Sequence, residues 1–207
     1  GVETADSAGR GATEATLPSA GRGASEASLE TPLKVLFVCT ANICRSPFME
    51  LTARHLAGNA PIEFRSAGTH GFTDHPMNPE MAVTLGPRGI AGEQDFRSRP
   101  LSKAELEWAD VVLTAEADHR QFILDDHPAL FRKVFTLGQF VESLAGQDDL
   151  HGRELLRAVG AHRTTASSEL DVADPYRRGQ EACERAAAHI ESLLRTALAA
   201  LVPQRSA

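Results

Sequence analysis

From Leu33 to Cys39 the chain runs LKVLFVC, apolar and rich in β-branched residues with one polar interruption, the signature of a strand buried on both faces. The following stretch, SPFMELTARHLAG, carries Phe48, Leu51 and Leu56 at helical spacing. Pro47 suits a first helical turn, where a missing N–H costs nothing, and Ser46 is the expected N-cap. A strand, a loop and a helix N-terminus are therefore predicted in immediate succession.

Further strands are predicted at residues 62–66, 111–115 and 133–137, with helical stretches near 79–85, 102–108 and 117–125 between them. Residues 150–159 read as an extra helix ahead of a polar Thr- and Ser-rich stretch, and 177–201 as a long Ala- and Leu-rich closing helix. Alternating strands and helices imply an α/β, doubly wound parallel sheet with helices on both faces.

The first 31 residues break this pattern. They contain no aromatic residue and few large apolar ones, too little to offset the entropy of ordering, so 1–31 is expected to be a disordered, low-complexity leader ahead of a domain at 32–203. Within it Ser7–Leu17 (SAGRGATEATL) recurs as Ser19–Leu29 (SAGRGASEASL). Two copies do not make a solenoid, and the repeat reads as a solvated tail or tether. The opening at Gly1 rather than Met reads as processing or a cloning scar.

The formal net charge of −7 argues against a nucleic-acid partner, which would need a basic surface. No run reaches the roughly 20 apolar residues of a membrane span, so no membrane partner is expected. Three cysteines, an odd number, do not form the disulfide framework of a small secreted domain, and a cytoplasmic location is expected. The eight histidines show no spacing typical of a zinc site, so neither metal nor cofactor is expected.

The chemistry concentrates after the first strand. Ligands of open parallel sheets bind beyond the carboxyl ends of strands, and Cys39 lies at such an end. In CTANICRS (Cys39, Thr40, Ala41, Asn42, Ile43, Cys44, Arg45, Ser46), backbone N–H groups and a helix dipole would converge on one point, which suits a tetrahedral phosphate or similar oxyanion and favours a thiolate. Arg45 can add a planar fork of two parallel hydrogen bonds to phosphate oxygens. A Cys after a buried strand is usually an inert packing thiol, but the accompanying Arg45, Ser46 and Pro47 favour a nucleophile.

The string VLFVCTANICRSPFME, followed by RSAGT at residues 65–69 and DPYR at 174–177, resembles the low-molecular-weight protein tyrosine phosphatase family over roughly Leu33 to Leu201. The resemblance implies strand order 2-1-3-4 and a metal-free phosphomonoesterase working in two displacements through a phosphocysteine on Cys39. It makes Asp174 the general acid and base, with Asp171 the competing carboxylate. It assigns Asn42, Ser46 and Ser66 to locking the loop and Phe72 and Tyr176 to the substrate pocket; for Cys44 it implies a reversible disulfide with Cys39, against the equal reading of a buried thiol at the helix start. Cys183, among alanines of the last helix, reads as packing.

The implied substrate is a phosphotyrosine protein or a small aryl phosphate, handled by a monomer or weak dimer. Ile43 stands where related protein arginine phosphatases carry Thr, and its bulk favours phosphotyrosine. An arsenate reductase of similar architecture would need two further cysteines on a mobile segment, which Cys183 alone does not supply. A noncatalytic phosphate-binding module would not require Cys39, Arg45 and Asp174 together. Arg177 replaces a second Tyr common in the family, and residues 144–172 are longer than expected, shaping partner choice or simply packing.

Overall fold

The computed structural model describes residues 31–202; the leader expected at 1–31, Thr31 apart, lies outside the described residues. Four strands, β1 (Leu33–Cys39), β2 (Ile62–Gly68), β3 (Val111–Thr114) and β4 (Val134–Thr136), form one sheet in the order β2-β1-β3-β4, with every pair parallel. Both the parallel sheet and the order 2-1-3-4 are as expected from the sequence. β1 is central because its side chains are apolar on both faces: five of its seven residues are consecutively buried.

Alternate residues of β1 feed two cores. Val35, Phe37 and Cys39 face one layer containing α1 (Arg45–Ala57), α5 (Leu137–Glu142), α6 (Gly152–Ala161) and α7 (Gln180–Leu201), packed through Phe48, Phe140, Leu155 and Ile190. Leu36 and Val38 face the other, covered by α3 (Lys103–Trp108) and α4 (Ala117–Asp126) through Leu106 and Ile123. Truncating a side chain as buried as Phe37 would cost about 3–5 kcal/mol. A short α2 (Pro79–Ala82) is capped by the Asn78 side chain, which accepts from the Met81 amide.

Two expectations need correction. Ser46 is not the N-cap of α1: the helix starts at Arg45 with Cys44 at the cap position and no side-chain capping bond, because the Ser46 hydroxyl is engaged elsewhere. The closing helix begins at Gln180 rather than 177, since Arg177 has a left-handed φ of 59° and the chain turns at Gly179 before entering it. The helix at Leu137–Glu142 was not anticipated: it is only six residues long, and its one signal was TLGQ, a capping box between Thr136 and Gln139.

The long stretch after α5 is packed rather than loose. Leu155 and Val159 of α6 are fully buried in the larger core. The polar run after α6 is pinned at Thr164, whose carbonyl accepts from Gln139 Nε2 at 2.8 Å. It then returns to the sheet, where the Val172 amide donates to the Ala115 carbonyl. This path carries residues 171–176 to the carboxyl edge of β1 and β3.

Candidate active site

The loop between β1 and α1 folds around the sulfur of Cys39. Ser46 Oγ lies 2.9 Å from Cys39 Sγ, and the Ser46 amide donates to the same atom at 3.4 Å. Asn42 Nδ2 donates to Ser46 Oγ at 2.8 Å and to Ser66 Oγ at 2.9 Å, while Ser66 Oγ donates onward to Glu50 Oε1 at 2.9 Å. Because Ser46 Oγ already accepts from Asn42, its own proton is free to point at the sulfur. The positive end of the α1 dipole points into the same loop.

Asn42 holds a φ of 57°, a left-handed conformation that Asn tolerates, and its Oδ1 accepts from the Arg99 amide at 3.0 Å. The loop is also fixed from β2. Gly68 lies opposite Cys39 in the register, and a Cβ there would stand 2.6 Å from the Thr40 carbonyl oxygen and 2.9 Å from the Ala41 carbonyl carbon. Only glycine allows this approach. The Thr40 carbonyl accepts from the His70 amide and the Ile43 carbonyl from the Asn78 amide, both at 2.8 Å.

Arg45 is 2 % exposed, and its guanidinium is oriented by protein groups. Nη1 donates to the Val172 carbonyl at 2.7 Å and Nη2 to Glu116 Oε2 at 3.2 Å, with Asp174 Oδ2 3.8 Å from Nη2. Nε and the second proton on each terminal nitrogen remain for an anion. Asp174 is about half exposed, and its Oδ1 accepts from the Tyr176 amide at 3.1 Å. Asp171 points elsewhere: it accepts from the Ala117 amide at 2.8 Å at the start of α4, while burial pushes its carboxyl up.

Glu116 and His119 were not singled out in the sequence. His119 is 5 % exposed; its Nδ1 accepts from the Glu116 amide at 3.1 Å and its Nε2 lies 2.8 Å from Thr40 Oγ1. That pairing is satisfied by a neutral ring protonated on Nε2. Burial, then the charge of Arg45, pushes its pKa down to about 3. The signal was present in TAEADH, a carboxylate and an imidazole three residues apart just beyond a buried strand, but such a pair is commonplace on helices.

The cysteines differ in character. Cys44 is buried, and burial first, then proximity to Cys39, pushes its thiol up to about 12, so it is a neutral thiol at physiological pH. All three cysteines are free, and Cys183 is buried in the α7 interface as a packing residue. Phe72 and Tyr176 are exposed; Phe72 packs against His75 at 4.7 Å, and Arg177 lies 5.1 Å over the Tyr176 ring. A third exposed ring, Phe122, packs against His70 at 4.8 Å beside the Thr40 end of the loop.

A family model described as low molecular weight phosphotyrosine protein phosphatase matches residues 34–152. The protein-arginine-phosphatase of Geobacillus stearothermophilus is 35 % identical over 117 residues, covering 56 % of this chain and 76 % of that protein. The low molecular weight protein-tyrosine-phosphatase Etp of Escherichia coli (strain K12) is 27 % identical over 164 residues, 79 % of this chain and 88 % of that one. Among solved structures, YwlE arginine phosphatase from Geobacillus stearothermophilus superposes with a TM-score of 0.65 at 27 % identity, covering 80 % of this chain and 90 % of its own. A low molecular weight protein tyrosine phosphatase from T. tengcongensis gives 0.64 at 27 % identity, with 80 % and 97 % covered.

Proposed function

The chain belongs to the low molecular weight phosphotyrosine protein phosphatase family, and from that premise we propose that it hydrolyses phosphotyrosine in proteins through a covalent phosphocysteine on Cys39. The observation that carries the reading is the convergence on one sulfur of the Ser46 hydroxyl and amide, with the buried Arg45 guanidinium 3.8 Å from Asp174 in the same loop cluster.

In the first displacement Cys39 Sγ attacks phosphorus, a P–S bond forms and the P–O bond to the leaving group breaks. Asp174, protonated, gives its proton to the departing oxygen. Arg45, held in plane by Val172 and Glu116, donates to the equatorial oxygens as charge spreads over them. In the second, Asp174 as carboxylate takes a proton from water, the water oxygen attacks phosphorus, and the P–S bond breaks to release inorganic phosphate and the thiolate. The Ser46 donors stabilise the sulfur as a leaving group in this step.

Phe72 and Tyr176 are the proposed walls for an aryl ring, being exposed aromatics on the loops that follow β2 and precede α7. Phosphoarginine is the second reading, supported by the identity to the arginine phosphatase, whereas the bulk of Ile43 favours phosphotyrosine. In the described residues no helix is long and apolar enough to cross a membrane.

The test is hydrolysis of p-nitrophenyl phosphate, then of phosphotyrosine and phosphoarginine peptides. Cys39→Ser should abolish turnover, and Asp174→Asn should lower kcat by about 10²–10⁴-fold. Full activity in Cys39→Ser defeats the mechanism; a preference for phosphoarginine replaces the substrate.

A further inference from the structure

Between the α1 residues Glu50–His55 and the segment 91–99 lies a cavity of about 530 Å³, none of whose lining residues belongs to Cys39–Ser46. Its size falls within the roughly 300–1,000 Å³ of small-molecule sites. Arg54, Arg97 and Arg99 line it together with the apolar Phe96 and Ala91; Glu50 and Asp95 are its carboxylates.

The guanidiniums are unevenly paired. Glu50 is already committed, pairing with Arg54 Nη1 at 2.7 Å and accepting from Ser66 at 2.9 Å. Arg99 reaches Glu105 at 3.2 Å. Arg97 donates only to the Gln94 and Phe96 carbonyls and, among the described residues, forms no salt bridge. Arg54 Nη2 also donates to the Phe64 carbonyl at 3.0 Å. A half-apolar cavity with one uncommitted guanidinium, Arg97, and two that an incoming anion would draw from their carboxylates, Arg54 and Arg99, suits a rigid anion carrying more than one carboxylate or phosphate group.

Two lining residues touch the network that holds the nucleophile. Glu50 is 5 % exposed and ends the chain that runs through Ser66, Asn42 and Ser46 to Cys39 Sγ. The Arg99 amide donates to Asn42 Oδ1. We propose that this cavity binds a small multivalent organic anion on an aromatic or apolar frame, and that occupancy slows turnover at Cys39 by drawing Arg54 away from Glu50. Without Arg54 to offset its burial, Glu50 takes up a proton and becomes a weaker acceptor for Ser66, and the grip on Asn42 and Ser46 loosens with it. The kinetic half of this proposal rests on the phosphatase reading; the binding half does not.

The probe is benzene-1,3,5-tricarboxylate, titrated calorimetrically into the full chain with inorganic phosphate saturating the Cys39 loop, and added in parallel to p-nitrophenyl phosphate assays. Wild type should bind, and its kcat should fall about fivefold or more with KM little changed. Arg97→Glu and Ala91→Trp, neither side chain bonded to the catalytic loop, should keep basal turnover while weakening binding about tenfold or more. Glu50→Gln should still bind, with its turnover no longer responding.

Absence of binding up to about 10 mM, equal binding by Arg97→Glu, or displacement by phosphate with a rise in KM alone would overturn the site. Binding without any change in wild-type kcat would overturn the coupling. If p-nitrophenyl phosphate is not hydrolysed at all, the phosphatase reading fails while calorimetry still decides the cavity.

Discussion

His119 makes stability depend on pH in a way that one substitution isolates. Its ring is held neutral by burial, beside Arg45 and His70, with a pKa pushed from 6.5 down to about 3. The unfolded chain takes up a proton near 6.5 while the folded one does not until about 3, so the unfolded state binds more protons between those values. Stability is therefore present in full above 6.5 and is lost as pH falls toward 3. Each pH unit contributes about 1.4 kcal/mol, so lowering the pH from about 7 to about 4.5 should remove roughly 3 kcal/mol through this residue alone.

His119→Gln keeps a neutral donor for Thr40 and has no proton to gain. Urea midpoints of the two proteins across this range should converge as pH falls, the wild type losing the extra stability. The raised carboxyls of Glu50 and Asp171 titrate in both proteins and cancel in the difference. Glu116 Oε2 lies 3.4 Å from Nε2, yet burial first, then Arg45 and His70, keep the ring neutral. Parallel curves for the two proteins would refute the buried neutral imidazole.

Other substitutions test the loop directly. Gly68→Ala should force the Thr40 carbonyl back by several tenths of an ångström, costing about 1–3 kcal/mol in unfolding free energy, while the displaced loop loses about 10²-fold in kcat. Denaturation and p-nitrophenyl phosphate turnover read both, and near-normal kcat would show the loop to be compliant. Glu116→Gln should lower kcat/KM about tenfold or more by freeing the Arg45 guanidinium, with far-UV circular dichroism unchanged. Ser66→Ala should destabilise by about 1–3 kcal/mol, seen in the urea midpoint, because Glu50 and Asn42 each lose a buried partner.

The parts of the fold legible in the sequence were those set by local pattern. LKVLFVC declared a strand buried on both faces, and the repeated alternation of short apolar runs with helical ones fixed a parallel sheet. The cysteine, the arginine and the helix start stood together in eight residues, so their convergence followed from chain geometry. Long-range pairings were not legible. That Val172 would present its carbonyl to Arg45 depends on how the stretch after α5 packs back onto the sheet, and that Glu116 would be its carboxylate partner depends on β3 pairing beside β1. Ser46 was misread for a related reason: its hydroxyl fits a helix cap by propensity, and the nearby sulfur wins it in the folded chain.

The bond from Arg45 to Val172 joins residues 127 positions apart, across the whole of the sheet and its crossover helices. Such a closure forms late, because non-local contacts must first overcome loop entropy. Turnover is thus a reporter of completed assembly: during refolding from denaturant, recovered hydrolysis should trail or match the return of the far-UV signal and never lead it. A partly folded chain would carry the nucleophile and yet be silent.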